Sequence, residues 1–560
     1  DSFDVVIRGG TVIDGTGAPR LQGDVGIRGG AIAAVGDVRG DAARSIDAGG
    51  CVVAPGFVDI HTHYDAQVFW DRMLSISPWH GVTSVVVGNC GFGIAPTRPQ
   101  HRDLVLRTLE NVEGMSLDAM NAGLGSAWPF ETFPQFLDAI ERRGTAINLG
   151  ALVGHTPVRL YVMGEEATER AATADEIAAM RRIVDDALAA GALGFATSKS
   201  PTHVGWAGRP VPSRAASVSE IHALAGALKA AGRGLMQATI GPELLPNALG
   251  EVQRATGRPV TWTALLADML GPGGHRAFLA QTEQQKREGI TVVPQVACRP
   301  LCFEFQWKAP FPFESMSIFK PVSAAEGREA RARIYADPAF RAAFRDRSAH
   351  PRLAPLWSTM EIAASPSAPA LEGRLVTAVA AERGVHVVDL VLDLALASEL
   401  EARFRIAVMN TDEDAVAELL RHPAMVLGLS DAGAHASQLC DACFSTHLLG
   451  HWVRGKQVLT LEEAVRMLTS RPAEVFGITD RGRLAPGLAA DVTIFDPATV
   501  GCSPLRRVHD LPAGADRLVA DAIGIRAVLV NGTIIREGGR DAVDPDGALP
   551  GRVLRGGRAS

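Results

Sequence analysis

The sequence predicts an α/β protein: a (β/α)8 TIM-like barrel with a small β-sandwich domain built from both termini. Three patterns point there. The middle of the chain alternates short apolar runs with alanine-rich stretches at helical spacing, as parallel strands joined by crossover helices do. Residues 1–55 and the stretch from 484 to 550 instead hold short β-patterned runs broken by Gly-Gly, Asp-Gly and Asn-Gly turns. A histidine pair and a distant aspartate each close an apolar run, at the strand ends where barrel enzymes keep their chemistry.

In chain order, Phe3-Asp4-Val5-Val6-Ile7-Arg8 opens as a strand, and Gly29-Gly30 turns a hairpin inside Asp24 to Val35. The run 52–58 reads as a turn feeding a buried strand. Strand candidates follow at 58–63, 83–90, 148–154, 193–198, 235–239, 260–265, 291–297, 406–410 and 426–431. These are nine runs for an eight-stranded barrel, so one lies outside it or is not a strand. Residues 174–190 and 221–231 carry alanine and leucine at helical spacing. From 299 to 375 the alternation breaks: aromatics and prolines give way to a charged helix at 324–343. This insert reads as a lid or as a peripheral, oligomer-forming element. Strand patterns return at 491–495 and 526–535. The expected division is 1–55 with 484–550 as the β-sandwich and 56–483 as the barrel.

In Asp59-Ile60-His61-Thr62-His63 the two histidines are spaced i, i+2, so on a strand they project to one face and one metal ion can take both. Ser430-Asp431 ends a later run, and Asp431 suits a metal ligand and proton carrier. Gly88-Asn89-Cys90-Gly91 places a thiol at another strand end. Cys90 is a zinc ligand on this reading, or a small buried hydrophobe on the other. A divalent metal held there would lower the pKa of a bound water and make it a nucleophile. Cys440, Cys443, His447 and His451 have zinc-like spacing, but on one straight helix the ends stand about 16 Å apart and cannot surround one ion. That segment reads as a helix beneath the Asp431 loop, with His435 or Cys440 reaching the pocket.

The chain resembles the amidohydrolase superfamily from Asp4 through Gly17, from Pro55 through Asp65, and in Gly81-Val82-Thr83, Gly154-His155, Gly191-Ala192-Leu193-Gly194-Phe195, Ser430-Asp431 and Gly482 through Val492. Asn89-Cys90-Gly91 narrows the likeness to the D-aminoacylase branch of N-acyl-D-amino-acid deacylases. The resemblance implies a metal-dependent hydrolase of linear amides, with Asp431 passing the water's proton to the departing amine. It also exposes a departure. The family's next two strands end in zinc-binding histidines, whereas this chain reads Gly234-Leu235-Met236-Gln237-Ala238-Thr239 and Pro259-Val260-Thr261-Trp262-Thr263. The expected centre is therefore one Zn2+ on His61, His63 and Asp431, completed by Cys90 or Gln237, although manganese, iron or nickel suit such donors too. Gln237 reads better as a hydrogen bonder to substrate. Lys199 is either the bridging carboxylated lysine of related enzymes or an ordinary substrate-facing lysine. Arg159, near His155, either receives a substrate carboxylate or fixes its loop by a salt bridge.

Composition bounds the rest. A net charge of −7 gives no basic field for nucleic acid. No apolar run has transmembrane length, and the N-terminal residues pattern as a strand rather than a signal segment. Seven scattered cysteines fit reduced thiols in the cytosol. The expected partners are a small-molecule amide and further copies of the chain, with no membrane. Two other readings stay open: hydrolysis of a cyclic amide such as a hydantoin, lactam or imide, and a non-catalytic oligomeric scaffold.

Overall fold

The computed structural model describes residues 2–351 and 353–559. The chain divides into two compact units, one of Asp1–Arg299, Asp414–Ala436 and Cys440–Ser560, the other of Pro300–Glu413 and Ser437–Leu439. In the first unit, eight parallel strands run in sequence order: β1 (Phe57–Asp59), β2 (Val82–Val87), β3 (Asn148–Gly154), β4 (Gly194–Ser198), β5 (Leu235–Thr239), β6 (Val260–Thr263), β7 (Val292–Val296) and β8 (Val426–Leu427). The sheet closes on itself just past β1 and β8. Thr62 pairs with Ala432, His63 N–H donates to the Ala432 carbonyl (2.7 Å), and Asp431 N–H donates to the His61 carbonyl (3.1 Å).

The strands are nearly continuous apolar runs because helices cover the outer face and side chains fill the interior. β2, for example, is buried along its whole length. Val58, Val86, Leu152, Leu235, Val293 and Val426 pack together inside the barrel. Side chains alternate faces along a strand, so Gln237 follows Leu235 and Gln295 follows Val293 on the inner side. These two fully buried amides put polarity directly above the apolar layer. The helix Ala174–Ala190 starts at a reciprocal Thr173–Glu176 capping box and stops at Gly191, in the left-handed conformation with φ 115°.

Both ends of the chain share one nine-stranded sheet. Its middle strand, Val52–Pro55, pairs with Phe3–Val12 on one side and Val492–Phe495 on the other. The run 52–58 is thus two strands of two sheets divided at Gly56, rather than a turn and one strand. A buried polar knot ties this sheet to the barrel. Asp491 accepts from Arg481 (2.6 Å), Asn148 (2.9 Å) and the Asn531 N–H (2.8 Å). The C-terminal segment docks on the barrel, with Val553 bridging Leu149 and Leu554 buried.

The second unit has its own core, with Trp307, Phe313, Phe319 and Phe344 in mutual ring contact around a three-stranded antiparallel sheet. The ninth strand run belongs here: Arg403–Met409 lies between Leu301–Gln306 and Glu361–Ala364, outside the barrel. The charged helix expected at 324–343 is two helices, Gly327–Ala336 and Pro338–Ser348. Pro338 cannot continue the first helix and Asp337 caps the second, which forces the break. Among the described residues no helix is long and apolar enough to cross a membrane.

Two outcomes follow from the buried polar groups of the first unit. Asp491→Ala removes three buried hydrogen bonds at once and leaves Arg481 with Asp480 as its remaining carboxylate, so the unfolding free energy measured in urea should drop by about 1–3 kcal/mol; no measurable drop would remove the knot from the account. His80 is fully buried, its Nε2–H donating to the Ala520 carbonyl (2.8 Å) and its Nδ1 accepting from Thr446 (2.7 Å). Burial pushes its pKa down to about 4. The unfolded chain then takes up a proton near pH 6.5 that the folded chain refuses until about pH 4. The stability advantage of the wild type over His80→Gln should be complete above pH 6.5 and shrink as pH falls towards 4. A pH-independent difference would contradict this.

Candidate metal centre

Four side chains from three strand ends meet at the mouth of the barrel. The donor atoms of His61, His63 and Cys90 all lie within 4.8 Å of one another. The Cys90 thiol is 3.4 Å from His61 Nε2, and Asp431 Oδ1 is 3.2 Å from His61 Nε2 and 3.5 Å from His63 Nε2. The two imidazoles and the thiol are buried, whereas the Asp431 side chain is 28% exposed, so it is the member that water or a ligand can reach.

Local backbone geometry places these groups. Gly88 turns the chain after β2 at φ 83°, where a Cβ would meet the Leu152 carbonyl oxygen at 2.1 Å. Gly433 lets the Asp431 loop lie against the His63 carbonyl, 2.7 Å from where its Cβ would be. Cys90 and Asp431 themselves adopt positive φ, 59° and 47°. Such residues hold strain of about 1–3 kcal/mol each, which gathers at functional sites. Asp59 braces the histidine turn by accepting from His61 N–H (3.2 Å) and from the Ser430 hydroxyl.

The outer nitrogens of the rings are held as well. His61 Nδ1–H donates to Gln295 Oε1 at 2.8 Å, which fixes the tautomer that turns Nε2 inward. His63 Nδ1 faces Glu113 Oε1 at 3.6 Å, and Glu113 also faces His435 Nε2 at 3.8 Å. Gln295 and Glu113 were missed in the sequence reading. Each had a signal: Gln295 is an amide inside the apolar strand Val292–Val296, and Glu113 continues the apolar stripe of Leu106 and Leu109 on its helix.

Electrostatics fit a cation. Burial raises the Cys90 thiol, but His61 and His63 more than reverse this and bring it down to about 6. Burial likewise raises Asp431, and its hydrogen bond from His63 with both imidazole charges holds it well below the usual carboxylate range. His61 is lowered by burial, then lifted to about 9 by Cys90 and Asp431. Two imidazoliums thus balance one thiolate and one carboxylate. A divalent ion would supply the same charge while displacing both protons, and imidazole, thiolate and carboxylate are zinc donors.

The other residues singled out from sequence lie around this centre or away from it. Gln237, beside Ala196 and Thr261 in the sheet, accepts from Cys90 N–H at 2.6 Å. Cys90 N–H requires an acceptor, so the amide orientation is set, and Gln237 Nε2 is buried with no partner among the described residues. His435 sits at the rim beside Glu113. His155 and Arg159 are engaged by a fully buried carboxylate: His155 Nε2–H donates to Glu220 at 2.7 Å, and Arg159 binds Glu220 and the Ala167 and Arg170 carbonyls. Arg159 thus makes a buried ion pair with Glu220. Lys199 donates to the Arg214 and Ala216 carbonyls and to Glu243. Cys440 does not share a long helix with His451. Residues 440–443 form a turn, followed by an α-helix, Phe444–His447, and a π-helix, Leu448–Gly455.

The sequence profile of the amidohydrolase family matches residues 44–536. N-acyl-D-glutamate deacylase of Alcaligenes xylosoxydans xylosoxydans is 33% identical, the alignment covering 99% of this chain and 97% of that one. D-aminoacylase of the same organism is 30% identical over 95% and 94%. Among solved structures, N-acyl-D-glutamate deacylase from Bordetella bronchiseptica, complexed with zinc and a phosphonate mimic of the tetrahedral intermediate, superposes with a TM-score of 0.66 at 29% identity, covering 99% of this chain and all of that one. A D-aminoacylase described by one-metal activation and second-metal attenuation gives a TM-score of 0.65 at 29% identity, covering 98% of this chain and all of that one. With the donors converged at the barrel mouth and the likeness running end to end, the chain belongs to the amidohydrolase family, in its D-aminoacylase branch, and is a metal-dependent hydrolase of non-peptide C–N amide bonds.

Proposed function

We propose that this enzyme is a one-zinc N-acyl-D-amino-acid deacylase, with the ion held by His61, His63, Cys90 and Asp431. The observation that carries the reading is the convergence of these four donors beside a buried amide donor, Gln237 Nε2, that has no partner among the described residues. Zinc is supported by the donor set and by the zinc in the Bordetella relative. A single ion is supported by Gln237 and Thr261, which hydrogen-bond to protein rather than offer imidazoles: Gln237 to Cys90 N–H, Thr261 to the Val293 carbonyl (2.9 Å) and to Gln295. One-metal activation of the similar D-aminoacylase agrees with this. A cytosolic homo-oligomer stays part of the proposal; the seven cysteines, with no disulfide among the described residues, support the reducing compartment.

When bound, the metal acidifies water and polarises the amide carbonyl. The remaining work belongs to side chains. Asp431, kept ionised and open to the pocket, takes the proton shed by the attacking water and returns it to the amine nitrogen as the C–N bond breaks. Gln237 Nε2–H donates to the carbonyl oxygen, and the bond strengthens as that oxygen gains negative charge. Gln295 and Glu113 keep the two imidazoles from turning. The products are a carboxylate and a free amino acid.

The zinc-loaded protein should hydrolyse N-acetyl-D-amino acids and spare their L-enantiomers, while His61→Ala, folded by circular dichroism, should show no turnover. Failure to cleave any member of a D-amino-acid panel, or activity in the variant, would sink the reading. Gln237→Glu keeps an acceptor for Cys90 N–H but removes the donor. It should lower kcat by roughly 10²–10³ with little change in metal content; an unchanged kcat would leave Gln237 only the task of holding Cys90.

A further inference from the structure

A second grouping of sulfur lies outside the metal centre and serves no step above. In Cys440-Asp441-Ala442-Cys443 the chain makes a tight turn, closed by Phe444 N–H donating to the Asp441 carbonyl at 2.9 Å. The turn folds Cys443 back, its thiol 3.5 Å from the Cys440 carbonyl and within hydrogen-bonding reach of the Cys440 thiol. On its other side Cys443 reaches Cys502, at the end of the short strand Gly501–Cys502. Cys443 is therefore the thiol that both others reach. Cys443 is fully buried, Cys440 keeps a small exposed edge of 7%, and Cys502 is half-buried. Arg299 lies alongside, 3.9 Å from the Cys502 sulfur, 2.7 Å from Asp441 and 3.3 Å from His447 Nδ1.

The arrangement does not suit chelation. Among the described residues, His61, His63 and Cys90 are the one group of three or more such donors that closes on a single point. His447 reaches the Cys502 thiol, but its ring stacks on His451, with centroids 4.9 Å apart and planes at 15°, so the two imidazoles do not close with the three sulfurs on one point. Neighbouring thiols that share one partner instead suit bonds formed pair by pair.

We propose that Cys440, Cys443 and Cys502 form a peroxide-reactive thiol–disulfide relay in which Cys443 is the shared partner. Cys440 sulfur attacks a peroxide oxygen, the O–O bond breaks, Cys440 becomes a sulfenic acid and water leaves. Cys443 sulfur then displaces the sulfenic hydroxyl, which departs as a second water with the thiol proton. Two thiols and one hydrogen peroxide thus give one Cys440–Cys443 disulfide and two waters. Attack of Cys502 on the Cys443 sulfur moves the bond to Cys443–Cys502 and restores Cys440, bringing the disulfide to the half-buried position where a dithiol reductant can reopen it. The hydrogen bond from Cys443 draws the Cys440 thiol below its ordinary range against the effect of burial, as an attacking sulfur needs.

The experiment treats the reduced, zinc-loaded protein with hydrogen peroxide, alkylates the remaining thiols and maps disulfides by peptide mass spectrometry. The expected product has lost two hydrogens, in a Cys440–Cys443 or Cys443–Cys502 peptide, and dithiothreitol restores all seven thiols. Cys502→Ser should still close Cys440–Cys443 but reopen more slowly. No disulfide under excess peroxide, or one that omits Cys443, would overturn the proposal. Mapping of the unaltered chain decides this even if a variant fails to fold, and none of its outcomes depends on which amide the enzyme cleaves.

Discussion

The closure between the segments that follow the first and last barrel strands is the contact on which the rest depends. The two backbone hydrogen bonds joining His63 to Ala432 and His61 to Asp431 remove the free edge of the sheet. They also bring residues from opposite ends of the barrel sequence to one point. The same backbone that ends the sheet holds both imidazoles against the Asp431 carboxylate, so fold and site share one set of bonds. Glycine at position 433 is required because the Asp431 loop must touch the His63 carbonyl. Strain at Asp431 and Cys90 persists because closed strands on both sides fix their positions.

Within that frame, charge governs the chemistry. The interior of the barrel changes from Leu235 and Val293 to Gln237 and Gln295 over two residues, and the candidate ion site begins at this change. Both amides serve the centre without carrying charge: one fixes a ring tautomer, the other caps the Cys90 backbone and keeps a donor that has no partner among the described residues. Glu113 adds a buried carboxyl behind His63, which burial raises to about 8. The centre thus has one fixed thiolate, one reachable carboxylate and neutral neighbours, a set that a single dication neutralises.

Much of this was legible in the residues. His61 and His63 share a face by the period of two, and Asp431 and Cys90 follow apolar runs, so strand periodicity alone places them at strand ends. The alternation of strands and helices carried the barrel, and the ninth run fell outside because it pairs antiparallel in the second unit. What stayed hidden depended on contacts distant in sequence. Nothing local to Arg159 reveals that Glu220 awaits it, and nothing local to Glu113 reveals His63. The run 52–58 reads as a turn feeding one strand because apolarity does not mark where one sheet ends and another begins; Gly56 was the sole sign. The helix expected from Cys440 to His451, which ruled out a four-ligand zinc site there, is instead a turn, a short α-helix and a π-helix.

The most direct test of a single-ion centre is a zinc titration of the demetallated protein, with bound metal counted by plasma mass spectrometry. The account predicts saturation at about one equivalent per chain, with affinity weakened by at least tenfold in Cys90→Ser. Saturation at two equivalents, or tight binding unchanged in that variant, would contradict it.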